Sequence, residues 1–134
     1  MAARVYWITE QNKQLIVLEF SGEWTSKEYA SAIDSSVKML DEVEHPVAII
    51  MDFLSNKKQA FAREVIDECL SGIKRWRTTK SYADIWVSTS SGYWERLLIW
   101  MLSRVYNPVG YEVGANLEEA CQIAREKLAE KASR

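Results

Sequence analysis

The sequence has few of the residues that divide a chain into parts or cross-link a small fold. It contains two prolines and five glycines in 134 residues, and no Pro/Gly-rich stretch separates one half of the chain from the other. Its two cysteines, Cys69 and Cys121, are far apart and lack C-x-x-C spacing. We therefore expect a single domain over residues 1–134, with two reduced thiols packed inside it.

Histidine occurs once, at His45, and this argues against most sites that depend on imidazole. A metal centre needs several His, Cys or carboxylate ligands at workable spacing, and no such set is visible. A Ser-His-acid triad would have to use His45, yet the sequence contains no G-x-S-x-G. The phosphate-binding patterns G-x-x-x-x-G-K-[ST] and G-x-G-x-x-G are absent too. We expect no enzymatic activity, no metal and no cofactor.

Long apolar runs and export signals are also missing. The most apolar stretch, "YWERLLIWML" at 93–102, is interrupted by Glu95 and Arg96 and falls short of the roughly 20 apolar residues that cross a membrane. The start, "MAARVYWITE", lacks the basic-then-apolar pattern of a signal peptide, so the cytoplasm is the expected location. A formal charge of −2 provides no global reason to expect nucleic acid or an anionic membrane as a partner.

What the sequence does contain is an alternation of strand and helix patterns. Strands rich in aromatic and β-branched residues are predicted at 4–9, 14–20, 47–53, 83–89 and 110–113. The first two are expected to form an antiparallel hairpin. The unbroken apolar run of the third predicts a central strand that is covered on both faces. With about four helices, the order ββαβαβαβα predicts an α/β fold with a mixed, mostly parallel five-stranded sheet.

Capping patterns mark the start of the first and last helices. Thr25 is followed three residues later by Glu28, and Asn116 by Glu119, which is the spacing of a capping box. Apolar spacing predicts the inward faces of the first two helices. These faces comprise Tyr29, Ile33, Val37 and Leu40 in the first helix, and Ala62, Val65, Ile66, Cys69, Leu70 and Ile73 in the second.

The third predicted helix, begun by Gly92, is apolar on two sides. One side is expected to cover the sheet, and on the other Trp100 has Arg96 and Arg104 one turn away in either direction. A tryptophan framed by arginines is typical of binding hot spots. The alternative is that another part of the same protomer covers this face. The interface candidates are Tyr93, Arg96, Ile99, Trp100 and Arg104.

The order of elements and several segments resemble the STAS domain, and particularly its SpoIIAA-like (anti-sigma-factor antagonist-like) relatives. The segments that show this resemblance are "LIVLEFSGEWTSKEY", "AIIMDF", "IWVSTSSGYWERLLIWMLSRVYNPVGYEV" and "NLEEACQIA". The resemblance implies a small α/β domain that works by protein–protein contact or by holding a small ligand. Regulatory members carry a phosphorylatable Ser or Thr in a D-S-x-G-like segment after the third strand. Here "MDFLSNKKQAFAREVI" retains Asp52 but lacks that segment, and Ser55 is the only nearby hydroxyl, which argues against such a switch.

Two segments are candidate ligand sites. Ligands of open α/β sheets bind beyond the carboxyl ends of the strands, where Asp52 and "STSSG" (88–92) are expected. Ser90, Ser91 and Gly92 precede a helix whose free N–H groups attract anions, although a plain helix cap explains them more simply. In "IKRWRTTK" (73–80), basic residues surround Trp76 as in single-strand binders, but cations in the last turn of a helix are the simpler interpretation.

Two functional hypotheses follow from these observations. The first is a non-enzymatic STAS-like module that binds a protein partner or forms a homodimer. The second is a carrier or sensor of a small apolar, amphipathic or anionic ligand, with a pocket between the sheet and the third helix lined by Trp86, Trp94 and Leu98. Neither hypothesis includes nucleic acid or a membrane span.

Overall fold

The structure, a computed structural model, describes residues 3–8, 11–22, 24–52, 71–89 and 112–133. Within these ranges, five strands and two complete helices are defined, and residues 71–77 are helical as well. Their bounds are β1 Ala3–Trp7, β2 Leu15–Phe20, α1 Ser26–Asp41, β3 Val47–Asp52, β4 Tyr82–Thr89, β5 Glu112–Gly114 and α2 Leu117–Ala132.

The described strands form one mixed sheet in the order β1-β2-β3-β4-β5. β1 and β2 pair antiparallel, and the three remaining neighbouring pairs are parallel. The hairpin closes with the N–H of Ile8 donating to the carbonyl of Leu15 at 3.0 Å, and Lys13 in the connecting turn has a positive φ of 47°. The predicted α/β architecture, with an N-terminal hairpin and a mostly parallel sheet, is confirmed.

Every residue of β3 is buried, and its side chains alternate between two separate cores. Val47, Ile49 and Met51 point into a core that includes α1 residues, which we call the α1-side core. Ala48 and Ile50 point into a second core that includes α2 residues, the α2-side core. The central strand is therefore covered on both faces, as its unbroken apolar run predicts.

α1 begins with the predicted capping box. The Thr25 hydroxyl accepts a hydrogen bond from the Glu28 N–H at 3.1 Å, and the Thr25 N–H donates to the Glu28 carboxylate, also at 3.1 Å. These bonds satisfy N–H groups that have no partner within the helix. The predicted inward face is confirmed, with three of its residues buried and Val37 partly buried against the same core.

α2 begins at the second predicted cap, where the Asn116 side chain accepts from the Glu119 N–H at 2.9 Å. Near its other end, the Lys131 ammonium donates to the Ala83 carbonyl of β4. Both ends of α2 are thus held by hydrogen bonds, the second one directly to the sheet.

β4 is irregular near its start. Val47 lies opposite Tyr82 and Ile49 opposite Trp86, so two steps along β3 correspond to four along β4. Within this bulge Asp84 has a φ of 62°, a left-handed conformation that aspartate tolerates better than most residues. Its carboxylate accepts from Arg77 Nε at 3.0 Å.

Several predicted features lie outside the described residues. These are the third helix, the part of the second helix before residue 71, and Cys69. Ile73 of the second helix is buried as predicted, and Cys121 is a buried free thiol as expected. In the ranges given above, no helix is long and apolar enough to cross a membrane.

Candidate functional site

Four polar residues lie in register across the sheet near the carboxyl ends of its parallel strands. Arg4 is opposite Glu19, Glu19 is opposite Asp52, and Asp52 is opposite Thr89. Side chains along a strand alternate between the two faces of the sheet. The residues two positions away from each of these four belong to the α2-side core or pack against it, so all four side chains lie on the α2 side. We call these residues the polar row. It occupies the edge where open α/β sheets bind ligands.

Members of the polar row bind one another in two pairs. The Thr89 hydroxyl donates to the Asp52 carboxylate at 2.9 Å, and both residues are buried. Arg4 and Glu19 form an ion pair at 3.2 Å, with the arginine largely in solvent. The Arg4 guanidinium also lies 4.8 Å from the centroid of the Tyr6 ring on the same face. The row therefore changes from a buried hydrogen bond at β3–β4 to a solvated ion pair at β1–β2.

α2 lies over the buried end of the row. Burial raises the pKa of the Cys121 thiol; the positive charge of Arg125 lowers it, and the charge of Asp52 raises it further. A thiol with a raised pKa stays protonated at neutral pH and is a poor nucleophile. The pKa of Tyr6 is raised as well, first by burial and then by the negative charge of Glu19. Both groups are thus neutral near pH 7 and can only donate or accept hydrogen bonds.

The described groups at this edge can form hydrogen bonds and ion pairs. A carboxylate that accepts a buried hydroxyl, together with a protonated thiol, offers polar contacts but no activated nucleophile. Among the described residues, no group of three or more His, Cys, Asp or Glu side chains is placed to hold a metal ion.

The structure places one of the four predicted ligand residues. Asp52 ends β3 at the carboxyl edge of the sheet, as expected. Ser90, Ser91 and Gly92 lie outside the described residues, as do the interface candidates Tyr93, Arg96, Ile99, Trp100 and Arg104.

The basic segment 73–80 has its aromatic residue in the core. Trp76 is fully buried, and its indole N–H donates to the Ser36 hydroxyl at 2.8 Å. Arg75 pairs with Asp34, and Arg77 pairs with Asp84. Trp76 is therefore not accessible for stacking on nucleobases, and the helix-end interpretation of this segment fits its contacts.

Of the residues predicted to line a pocket under the third helix, only Trp86 is described, and it packs in the α1-side core. An open groove of about 390 Å³ lies elsewhere, between β1 and α1. It is lined by Ala3–Val5 of β1 and by Glu28, Ser31, Ala32 and Ser35 of α1.

Comparison with known proteins supports the fold. No protein-family model and no curated protein matches the chain. Its structure is similar to that of an anti-sigma-factor antagonist (STAS) domain protein from Planctomyces limnophilus, with a TM-score of 0.57 and 13% sequence identity. The likeness covers 91% of this chain and 97% of the other. The chain therefore has a STAS-like fold, which confirms the resemblance seen in its sequence.

Sequence reasoning named Asp52 as a ligand candidate. Thr89 falls in the predicted ligand segment 88–92 but was not named as a site residue, and Arg4 and Glu19 were missed. Arg4, Glu19 and Thr89 each belong to a strand pattern in which they are ordinary outward or terminal positions. Alignment of the ends of adjacent parallel strands would have placed Thr89 next to Asp52. Arg4 and Glu19 require the register of the hairpin, which the sequence pattern does not specify to the residue.

Proposed function

We propose that this chain is a cytoplasmic STAS-like module that acts by binding protein, with a second copy of itself as a partner. The observation that carries the proposal is the STAS-like fold over 91% of the chain. The similar structure is that of an anti-sigma-factor antagonist (STAS) domain protein, and the resemblance in the sequence implies a domain that works by protein–protein contact or by holding a small ligand. Fold alone does not determine function, so the chemistry of the site must agree with it.

The described site agrees with binding. At the carboxyl edge, the ionisable groups of the polar row pair with one another, and the Cys121 thiol is kept protonated by burial. Catalysis of acyl or phosphoryl transfer would need an activated nucleophile or base close to a stabilised anion position. The described residues of this edge supply neither.

We propose that the contact surface includes Tyr93, Ile99 and Trp100, framed by Arg96 and Arg104. This part of the proposal rests on the sequence, in which both sides of the third helix are apolar. A helix needs one apolar side to cover a sheet, and the second is available to a partner.

Sedimentation velocity over a series of protein concentrations tests the proposal. We expect a mass that rises with concentration, and we expect Trp100→Glu to weaken association because it puts a charge in the centre of an apolar contact. Trp100→Phe is the matched control, since it keeps an apolar ring and should preserve most of the association. If Trp100→Glu leaves both the fold and the mass unchanged, the proposed contact surface is wrong.

A second candidate function is supported by the polar row. Its Asp52–Thr89 pair lies where α/β sheets bind small molecules, and we propose as the alternative a carrier or sensor of a small apolar, amphipathic or anionic ligand. Native mass spectrometry of the purified protein tests it without a guess at the ligand. A mass equal to that of the bare chain, together with no thermal shift from anionic metabolites, would contradict this alternative.

A further inference from the structure

β1 forms one edge of the sheet, and its outer backbone groups can be identified. The bond from the Ile8 N–H to the Leu15 carbonyl sets the phase of the antiparallel ladder, because hydrogen-bonded pairs alternate with non-bonded pairs. Tyr6 and Arg4 therefore direct their backbone groups toward β2. Ala3, Val5 and Trp7 direct theirs away from it. In the part of the chain that the structure describes, β1 pairs with β2 alone.

Space is available beside this edge. The groove of about 390 Å³ runs along Ala3–Val5 and is walled on one side by α1. The residues that α1 contributes include Ser31, Ala32 and Ser35, whose small side chains let another backbone come close. β1 also has little of the protection that edge strands commonly carry, since it contains one charged residue and no proline.

We propose that β1 pairs antiparallel with β1 of a second copy of this chain, centred on Val5, so that two sheets join into one. The proposal rests on the proposed function, because it adds β1 as a contact of that function's homodimer, in addition to the surface around Trp100. With Val5 of the two copies opposite each other, Ala3 of one lies opposite Trp7 of the other. The outward N–H and C=O groups of Ala3, Val5 and Trp7 then form hydrogen bonds with the same groups of the other copy.

The side chains of β1 are complementary to themselves in this arrangement. On the α2 side, Arg4 of each copy lies opposite Tyr6 of the other, and Arg4 already packs on a tyrosine ring within its own chain. Such a cation–π contact stabilises a cross-strand pair. On the α1 side, the small Ala3 faces the large Trp7. A parallel pairing would instead place like residues beside each other and would leave Arg4 near Arg4.

The length of β1 sets the expected strength. Five residues of edge with a short stretch of helix beside them make a small interface, and interfaces of less than about 1,200 Å² are weak. We expect dissociation in the micromolar range, so the concentration series should extend from about 1 µM to about 1 mM.

Disulfide trapping tests the pairing. In the proposed arrangement the two copies of position 5 have Cα atoms about 5.5 Å apart, within the range that a disulfide spans. Under mild oxidation Val5→Cys should therefore form a covalent dimer, with the bridge mapped to position 5 by peptide mass. Arg4→Cys is the matched control, because position 4 is more exposed but lies diagonal to its copy, too far to bridge. We expect Val5→Cys to cross-link at least about tenfold faster.

A second variant tests the backbone bonds. Val5→Pro removes an N–H that points away from β2, so no hydrogen bond within the sheet is lost. We expect it to raise the dimer dissociation constant by at least about tenfold, with the fold checked by circular dichroism. If Val5→Pro does not fold, the comparison of cross-linking rates between Val5→Cys and Arg4→Cys tests the pairing instead.

The outcomes separate this inference from the proposed function. A dimer in which Val5→Cys does not cross-link, or cross-links no faster than Arg4→Cys, overturns the pairing through β1 and leaves the homodimer standing. A chain that stays monomeric up to about 1 mM overturns both the homodimer and this pairing.

Discussion

At the scale of single residues, Ser36 joins two elements inside the α1-side core. Its hydroxyl accepts from the Trp76 indole N–H at 2.8 Å and donates to the Ile33 carbonyl at 2.7 Å. Ser36 and Trp76 are both fully buried. A buried indole N–H needs an acceptor because water cannot reach it. The serine on the inner face of α1 thus fixes where the helical residues 71–77 lie.

We expect Ser36→Ala to lower the free energy of unfolding by about 1–3 kcal/mol, because the Trp76 N–H is left without this acceptor. Urea denaturation measures the change. Ser35→Ala is the matched control: Ser35 is exposed on the same helix, and its replacement should change stability by less than about 0.5 kcal/mol. Equal stabilities of the two variants would show that the buried hydrogen bond contributes nothing.

Tyr82 makes the stability depend on pH in the alkaline range. Burial, followed by the negative charge of Asp84, raises the pKa of its phenol far above the ordinary value, while Arg77 acts in the opposite direction. The folded chain keeps the phenolic proton at a pH where the unfolded chain loses it. Stability from this group is therefore complete below about pH 10 and falls by about 1.4 kcal/mol per pH unit above it.

Tyr82→Phe should show a shallower loss of stability than the parent protein between about pH 10 and pH 11.5. At neutral pH we expect little cost, since within the described ranges no group forms a hydrogen bond with the buried hydroxyl. The measurement is the unfolding free energy as a function of pH. Tyr6→Phe serves for comparison, because the Tyr6 ring is only partly buried and its removal should flatten the curve less. Identical slopes for Tyr82→Phe and the parent would contradict the assignment.

At the scale of elements, close approaches between backbones decide how helices sit on the sheet. A Cβ atom added at Gly114 would lie 2.9 Å from the backbone nitrogen of Ala120 and 3.1 Å from its Cα. β5 and the first turn of α2 are therefore in direct backbone contact. At Gly72 the corresponding Cβ would lie 2.9 Å from Cδ1 of Ile33, the end of a side chain that has other rotamers.

Gly114→Ala should lower the free energy of unfolding by about 1–3 kcal/mol, because relief of the contact requires β5 or α2 to move. Gly72→Ala is the contrasting variant. Rotation of Ile33 relieves its contact, and alanine is favoured over glycine in a helix by about 1 kcal/mol, so a change near zero is expected. Thermal or urea unfolding of both variants provides the comparison, and a Gly114→Ala protein as stable as its parent would show that the elements move apart at no cost.

At the scale of the whole molecule, the sheet separates two cores. The α1-side core holds large aromatic residues, including Trp24, Trp76 and Trp86. The buried residues that α2 contributes to the other side are small: Ala120, Cys121 and Ala124. α2 can therefore lie close over the sheet and cover the buried half of the polar row. The exposed half ends at Arg4 on β1, the strand through which we propose that two copies join.

This placement links the two halves of the functional proposal. Arg4 belongs both to the polar row and to the edge that pairs in the inferred dimer. Dimer formation would bring the two rows toward each other across β1. A ligand at the carboxyl edge and a partner at β1 would then act on the same sheet.

Local patterns were sufficient to predict much of the fold. The N-terminal hairpin, the capping residues Thr25 and Asn116, and the covered central strand were all predicted, because caps and hydrophobic periodicity are properties of neighbouring residues. The bulge at Asp84 was not predicted. A positive φ in the middle of a strand depends on the pairing with β3 and on the ion pair with Arg77.

The sequence by itself determined that this protein is an α/β domain with a STAS-like order of elements, since each element carries its own signal along the chain. Tertiary structure alone decided which polar residues meet. Asp52 and Thr89 are 37 positions apart, and Ser36 and Trp76 are 40 apart. Their contacts depend on strand register and helix placement to within one residue, and packing sets both after the local patterns are satisfied.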